Sequence, residues 1–156
     1  MAQPFVMLFA IIVGALVLVW GVYEIKQLID LSGDIQLSDT MNDFQRVVDQ
    51  YYYFNEGSAR KYKINLPSNF DKICFYSHNP ADGGWNHPPD TNLDKHKPFI
   101  INRENDNVFI IPISEGSAFN IINLKPIEGG NNPLCFRSGE KINITTETNY
   151  VGVSKI

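Results

Sequence analysis

Residues 1–23 of this 156-residue chain contain no charged side chain, and every Lys, Arg, Asp and Glu lies at Glu24 or beyond. That gap argues against a cleaved signal peptide, whose apolar core follows a basic n-region and precedes an A-x-A-like site. Cysteine is scarce too. Cys74 and Cys135 are the two present, too few for a four-ligand structural zinc site within one chain. With a net charge of −4 and no basic stripe, the chain has nothing to grip a phosphate backbone, and nucleic acid is not an expected partner. Catalytic signatures are missing as well. There is no G-x-S-x-G elbow, phosphate loop or H-E-x-x-H helix, so neither enzymatic activity nor a cofactor is expected.

What the charge-free segment does contain is FVMLFAIIVGALVLVWGVY, an unbroken apolar run from Phe5 to Tyr23. It approaches the roughly 20 helical residues that cross a hydrocarbon core of ~30 Å. Pro4 suits a first helical turn, where its missing N–H costs nothing. Trp20 and Tyr23 stand at the far end, where amphipathic rings favour the headgroup layer. A run with no polar stripe is out of place as the buried core of so small a protein, so an uncleaved single-pass transmembrane anchor is expected. Before the span only the α-amino group is positive, whereas Glu24, Lys26, Asp30 and Asp34 follow it with a negative balance. The positive-inside tendency then puts the N-terminus in the cytoplasm and the C-terminal domain outside the cell membrane. Within the span, Ala10, Gly14 and Gly21 fall at i, i+4 and i+11 and share one helical face. Small residues so placed allow helix association at close range; Gly is also common in membrane helices without that role.

Beyond the span, EIKQLIDL extends the helix by a turn or two, and Ser32-Gly33-Asp34 reads as a hinge. A second helix is predicted from Asp39 to Phe54, with Ser38, Asp39 and Thr40 as competent N-caps. Leu37, Met41, Phe44, Val47, Val48, Tyr51 and Tyr52 recur at the spacing of one buried helical face, and Gly57 can close the helix. From Arg60 the pattern changes to short β-like runs at 60–66, 72–77, 98–102, 107–112, 118–124, 133–137, 140–146 and 149–154, separated by turn residues. Their number and brevity predict an antiparallel β-sandwich-like domain. The fold class is therefore α+β: a transmembrane anchor and helical extension over 1–31, a hinge and amphipathic helix over 32–57, and an extracytoplasmic β domain over 58–156. Cys74 and Cys135 each fall in one of these strands. In an exported domain they would form a disulfide joining the second strand to a late one; two reduced core cysteines are the alternative. Asn143-Ile144-Thr145 is a sequon, which makes Asn143 a candidate glycosylation site.

The longest irregular stretch is 78–97, HNPADGGWNHPPDTNLDKHK, which holds His78, His87 and His96 with Asp82, Asp90, Asp94 and Trp85. A loop of this length is usually functional or mobile. Its histidine spacings match no metal motif, so solvated side chains are expected rather than a metal site. Trp85 reads either as an exposed contact residue or as a plug over the core. A second cluster is Tyr51-Tyr52-Tyr53-Phe54; on a helix these rings point all around, so at least one should be partly exposed while the rest pack on the β domain.

Gln3-Pro4-Phe5 opening the span, followed by LPSNFDKICF and NNPLCFRSGEKINITT, resembles a group of single-pass secreted proteins of small-genome archaea over most of the chain. The resemblance implies an archaeal envelope protein and carries no activity with it. An apolar N-terminal helix, an amphipathic extension and a β-rich head also resemble the plan of type IV pilins, whose apolar helices bundle into a filament core. Pilins commonly carry Glu as the fifth mature residue; cleavage after Ala2 would put Met7 there. Taken together, the sequence predicts a membrane-anchored structural or interaction protein. It would contact membrane lipid and work as a homo-oligomer or as a subunit of a larger surface or membrane complex. An anchored module that binds a glycan or metal through the 78–97 loop is the alternative.

Overall fold

The computed structural model describes residues 3–79, 82, 84–114, 116–127 and 131–156, and of these not the side chains of 3, 27–31 and 91. Helix α1 spans Gln3–Tyr52. At Ser32-Gly33-Asp34, where a hinge is expected, the backbone is helical through all three residues. A glycine in a helix interior costs only about 1 kcal/mol, which cooperative helix formation on both sides outweighs. The helix stops at Tyr52, two residues before its expected end. The Phe54 N–H donates to the Tyr51 carbonyl at 3.0 Å, and the Gly57 N–H donates to the Thr146 carbonyl at 2.9 Å. Gly57 has φ +83°, a left-handed backbone that glycine adopts without a Cβ clash.

The chain forms two compact units, Met1–Ile35 and Gln36–Ile156. In the first, Pro4–Lys26 is long and apolar enough to cross a membrane, and none of it is buried. Phe5 is 78% exposed and Trp20 68%. The Trp20 Nε1–H donates to Glu24 at 3.1 Å, tying the indole to the first charged residue after the apolar run.

In the second unit, the helical residues Leu37, Met41, Phe44, Val48 and Tyr51 bury one stripe of α1 in the core, with Val47 and Tyr52 packed against it. This is the face their 3- and 4-residue spacing predicts. Among the described residues eight strands follow: β1 (Ala59–Lys63), β2 (Lys72–Phe75), β3 (Val108–Ile111), β4 (Ala118–Phe119), β5 (Leu124–Pro126), β6 (Leu134–Arg137), β7 (Lys141–Thr146) and β8 (Val151–Ser154). They make two packed four-stranded sheets, ordered β1-β7-β8-β5 and β4-β3-β2-β6. All pairs are antiparallel except β5 with β8. The inward residues of β7, Ile142 and Ile144, alternate with half-exposed Asn143 and Thr145, the period of a sheet with one buried face. Phe44 of α1 reaches both sheets, with ring centroids 5.6 Å from Tyr62 on β1 and 5.8 Å from Phe75 on β2. Gln45 straps the helix to the connection before β5: its Oε1 accepts the Ile122 N–H at 2.8 Å.

Two expected strands differ. The run 98–102 is helical, within α3 (Lys97–Asn102). A short apolar run is ambiguous by periodicity alone, and Pro98 in the first turn favours a helix start. A preceding turn of helix, α2 (Thr91–Asp94), is capped by Asp90, whose side chain accepts the Asn92 and Leu93 N–H groups. The run 118–124 divides into β4 and the start of β5, with Asn123 between them at φ +62°, a left-handed position that Asn tolerates better than most residues.

Cys74 and Cys135 form a disulfide across β2 and β6. They are register partners, and their Cα separation of 4.0 Å marks a non-hydrogen-bonded pair, the closer of the two antiparallel spacings.

Candidate functional site

The 78–97 segment is folded back on the β unit by a row of rings. Tyr76 stacks edge-on with His78 at 4.7 Å and meets Trp85 at 5.8 Å, and Trp85 meets His87 edge-on at 5.1 Å. Trp85 is half-buried and packs on a second apolar cluster of Cys74, Tyr76, Leu93, Ile100, Phe109 and Ile111. Its role in the structure is thus the plug, with Lys97 Nζ 5.5 Å from the ring centroid on the outer side. Burial in this cluster raises the Tyr76 phenol above its ordinary pKa.

Two of the histidines, expected to be solvated, are engaged by side-chain contacts. His87 has only 5% of its side chain exposed and lies between the Asp94 carboxylate, 3.2 Å from Nε2, and the Pro88 carbonyl, 2.6 Å from Nδ1. His78 Nε2 is 2.9 Å from the Asp106 carbonyl, and half-buried His96 occupies the N-cap position of α3. The row brings His78, Trp85 and His87 together and does not include His96. Among the described residues, no group of three or more His, Cys, Asp or Glu is placed to hold a metal ion.

Asn132 is what holds the segment's root, and no local sequence signal marks it. Buried to 1% exposure, it accepts the Ser77 N–H on Oδ1 at 2.9 Å and donates from Nδ2 to the Ser77 carbonyl at 2.7 Å. Its amide thus stands in for one more residue pair beyond the β2–β6 ladder. Its own N–H and carbonyl pair with Asn86, both at 2.6 Å. Ser77 in turn donates its hydroxyl to Asp82. Asn132→Ala leaves two buried Ser77 backbone groups without partners, and should lower stability by about 2 kcal/mol. The urea midpoint of the full chain in mild detergent measures this; a midpoint equal to wild type would show that water replaces the side-chain amide.

Beside this segment an open cleft of about 620 Å³ follows β6, lined there by Pro133, Leu134, Cys135, Phe136 and Arg137. Lys72 and Asp90 meet across part of it at 2.6 Å. The Lys72 hydrogen bond, with the N–H groups of α2 adding to it, holds the Asp90 carboxyl below the usual carboxylate range despite the opposing effect of burial. A depressed pKa means that the carboxylate form stabilises the fold above the unfolded carboxyl's pKa, and that this support fades as pH falls through the folded value. Lys141 and Lys155 complete the basic side of the cleft. Sequence reading missed this grouping because its charges come from segments far apart in the chain.

The remaining candidate residues are placed as follows. Asn143 points outward from β7, and its Nδ2 donates to Thr145 at 3.3 Å, so both polar residues of the sequon share one outer face. In the aromatic cluster, Tyr51 is buried while Tyr53 is 84% exposed. Ala10 is exposed on α1, and a Cβ added at Gly14 or Gly21 would meet nothing within 4 Å. No protein-family model, curated protein or solved structure matches this chain.

Proposed function

We propose that this chain is a non-enzymatic, membrane-anchored protein that acts by association, as a homo-oligomer or as a subunit of a surface or membrane assembly. One observation carries the reading: a fully exposed apolar helix over Pro4–Lys26 bears Ala10, Gly14 and Gly21 on a single face. Lipid satisfies an apolar helix of this length, and the small-residue face additionally lets a second helix approach closely. The N-terminus lies in the cytoplasm and the domain from Gln36 onward lies outside, an orientation favoured by the negative balance after the span. The Cys74–Cys135 disulfide supports an oxidising compartment, and the outward Asn143 supports an accessible sequon. The resemblance to archaeal envelope proteins and to the pilin plan agrees with such a role.

The test is the mass of the full chain in mild detergent by light scattering. An oligomer is expected, and Gly14→Leu or Gly21→Leu should shift it towards monomer by separating the helix backbones. A strictly monomeric wild-type particle would end the proposal. An oligomer indifferent to both substitutions would instead remove the small-residue face from it.

A further inference from the structure

The cleft along β6 has a second property that goes beyond association of the span: it is an open sheet edge with a surplus of cations. β6 is the outer strand of its sheet. Because Cys74 and Cys135 are a non-hydrogen-bonded pair, the Cys135 N–H and carbonyl point away from β2, into the space that the cleft occupies. The hydrogen bond from Ser138 N–H to the Asp71 carbonyl, 2.9 Å, fixes the same alternation one pair beyond the strand. Two residues on from Cys135, the outward Arg137 N–H is already met by a carboxylate, Glu140 Oε2 at 2.9 Å. The edge thus accepts an anion from its own chain.

Charge is unbalanced here. Lys72, Arg137, Lys141 and Lys155 line the cleft against Asp90 and Glu140, although the whole chain carries a net charge of −4. The Lys72–Asp90 pair neutralises itself, while the exposed Arg137, Lys141 and Lys155 make no ion pair among the described residues. Cations remain in excess even with a carboxylate on Ile156, which lies at the same rim.

We propose that this cleft docks an extended acidic peptide from a partner protein. The peptide backbone pairs with the Cys135 N–H and carbonyl, adding a short strand beside β6. Its acidic side chains lie against Arg137, Lys141 and Lys155, and Pro133 and the Pro88-Pro89 turn supply apolar walls. Backbone pairing provides the register in such strand addition, and side-chain charge provides the selectivity. Among the described residues nothing meets the N–H and carbonyl of Cys135, which favours a peptide over an acidic glycan that has no amide ladder to complete.

The experiment titrates the full chain in mild detergent with fluorescein-labelled hexapeptides of alternating Val and Glu, and of alternating Val and Lys, and with polygalacturonate. The Val–Glu peptide is expected to bind, the Val–Lys peptide to bind at least tenfold more weakly, and affinity to fall as salt is raised. Arg137→Glu with Lys141→Glu should weaken Val–Glu binding at least tenfold, since both side chains are exposed and their replacement leaves the core untouched. A Val–Glu peptide with Pro at its centre should also lose at least tenfold, because it cannot complete the pair with Cys135. Equal binding of both peptides, an unchanged affinity for the charge-reversed protein or the Pro-containing peptide, binding of polygalacturonate alone, or no binding at all would each overturn the proposal. None of these results depends on the oligomeric state, so the cleft and the span are judged separately.

Discussion

Replacing Phe44 with Ala should cost about 4 kcal/mol of stability, in the range observed when a large ring is deleted from a packed core. Phe44 is fully buried and touches one strand in each sheet, Tyr62 on β1 and Phe75 on β2. Its removal therefore opens a void where helix and both sheets meet, rather than at a margin that can collapse. A domain of this size is held by roughly 5–15 kcal/mol in total, so the loss consumes a large share of what there is. Chemical denaturation of the full chain in mild detergent, followed through the fluorescence of half-buried Trp85, gives the number. Tyr53→Ala is the control: that ring is 84% exposed and its loss should stay within about 0.5 kcal/mol. Equal effects at the two positions would mean that the helical stripe is not seated in the core.

Opening the Cys74–Cys135 link should cost a comparable amount by a different route. The two residues are 61 apart in sequence, and closing a loop of that length removes about 4 kcal/mol worth of freedom from the unfolded chain. The folded state already holds the pair in register through the β2–β6 ladder, so the native structure should survive reduction while its margin shrinks. The expected result is a lower denaturation midpoint with dithiothreitol, matched by a Cys74→Ala/Cys135→Ala double variant without reductant. An unchanged midpoint in both would show that the unfolded chain is not being restrained by the link. A fall in the double variant alone would point to the packing of the sulfur atoms instead.

The parts of this fold that were legible beforehand are those that repeat along the chain. The apolar run from Phe5 to Tyr23 and the stripe from Leu37 to Tyr51 announce themselves by length and by period, and the second unit buries that stripe as expected. The strand residues 141–146 alternate as a half-buried strand must, and Cys74 and Cys135 do pair. Where one local signal served two structures, reading failed. Phe99-Ile100-Ile101 is apolar and β-branched enough for a strand, yet Pro98 and the capped turn before it start a helix. Ser32-Gly33-Asp34 is helical for a related reason, since weak helix formers do not interrupt a helix that both flanks favour. The candidate site was the least legible. Trp85 and His87 are turned inward by contacts with Tyr76, Asp94 and the Pro88 carbonyl, and Asn132 grips Ser77 from 55 residues away. The cleft is assembled from β2, the 87–93 segment, β6, β7 and the two residues after β8. Such groupings exist only once register is set, and register joins segments whose separation leaves no periodic trace.

That register also orders events while the chain is being made. Ala59 pairs with Thr145 and Lys63 with Lys141, so β1, the first strand to be synthesised, has no sheet partner until β7 appears. Until then the stripe from Leu37 to Tyr51 lacks much of the surface that will cover it. Long-range pairing of this kind makes folding slow and leaves apolar surface open to wrong partners.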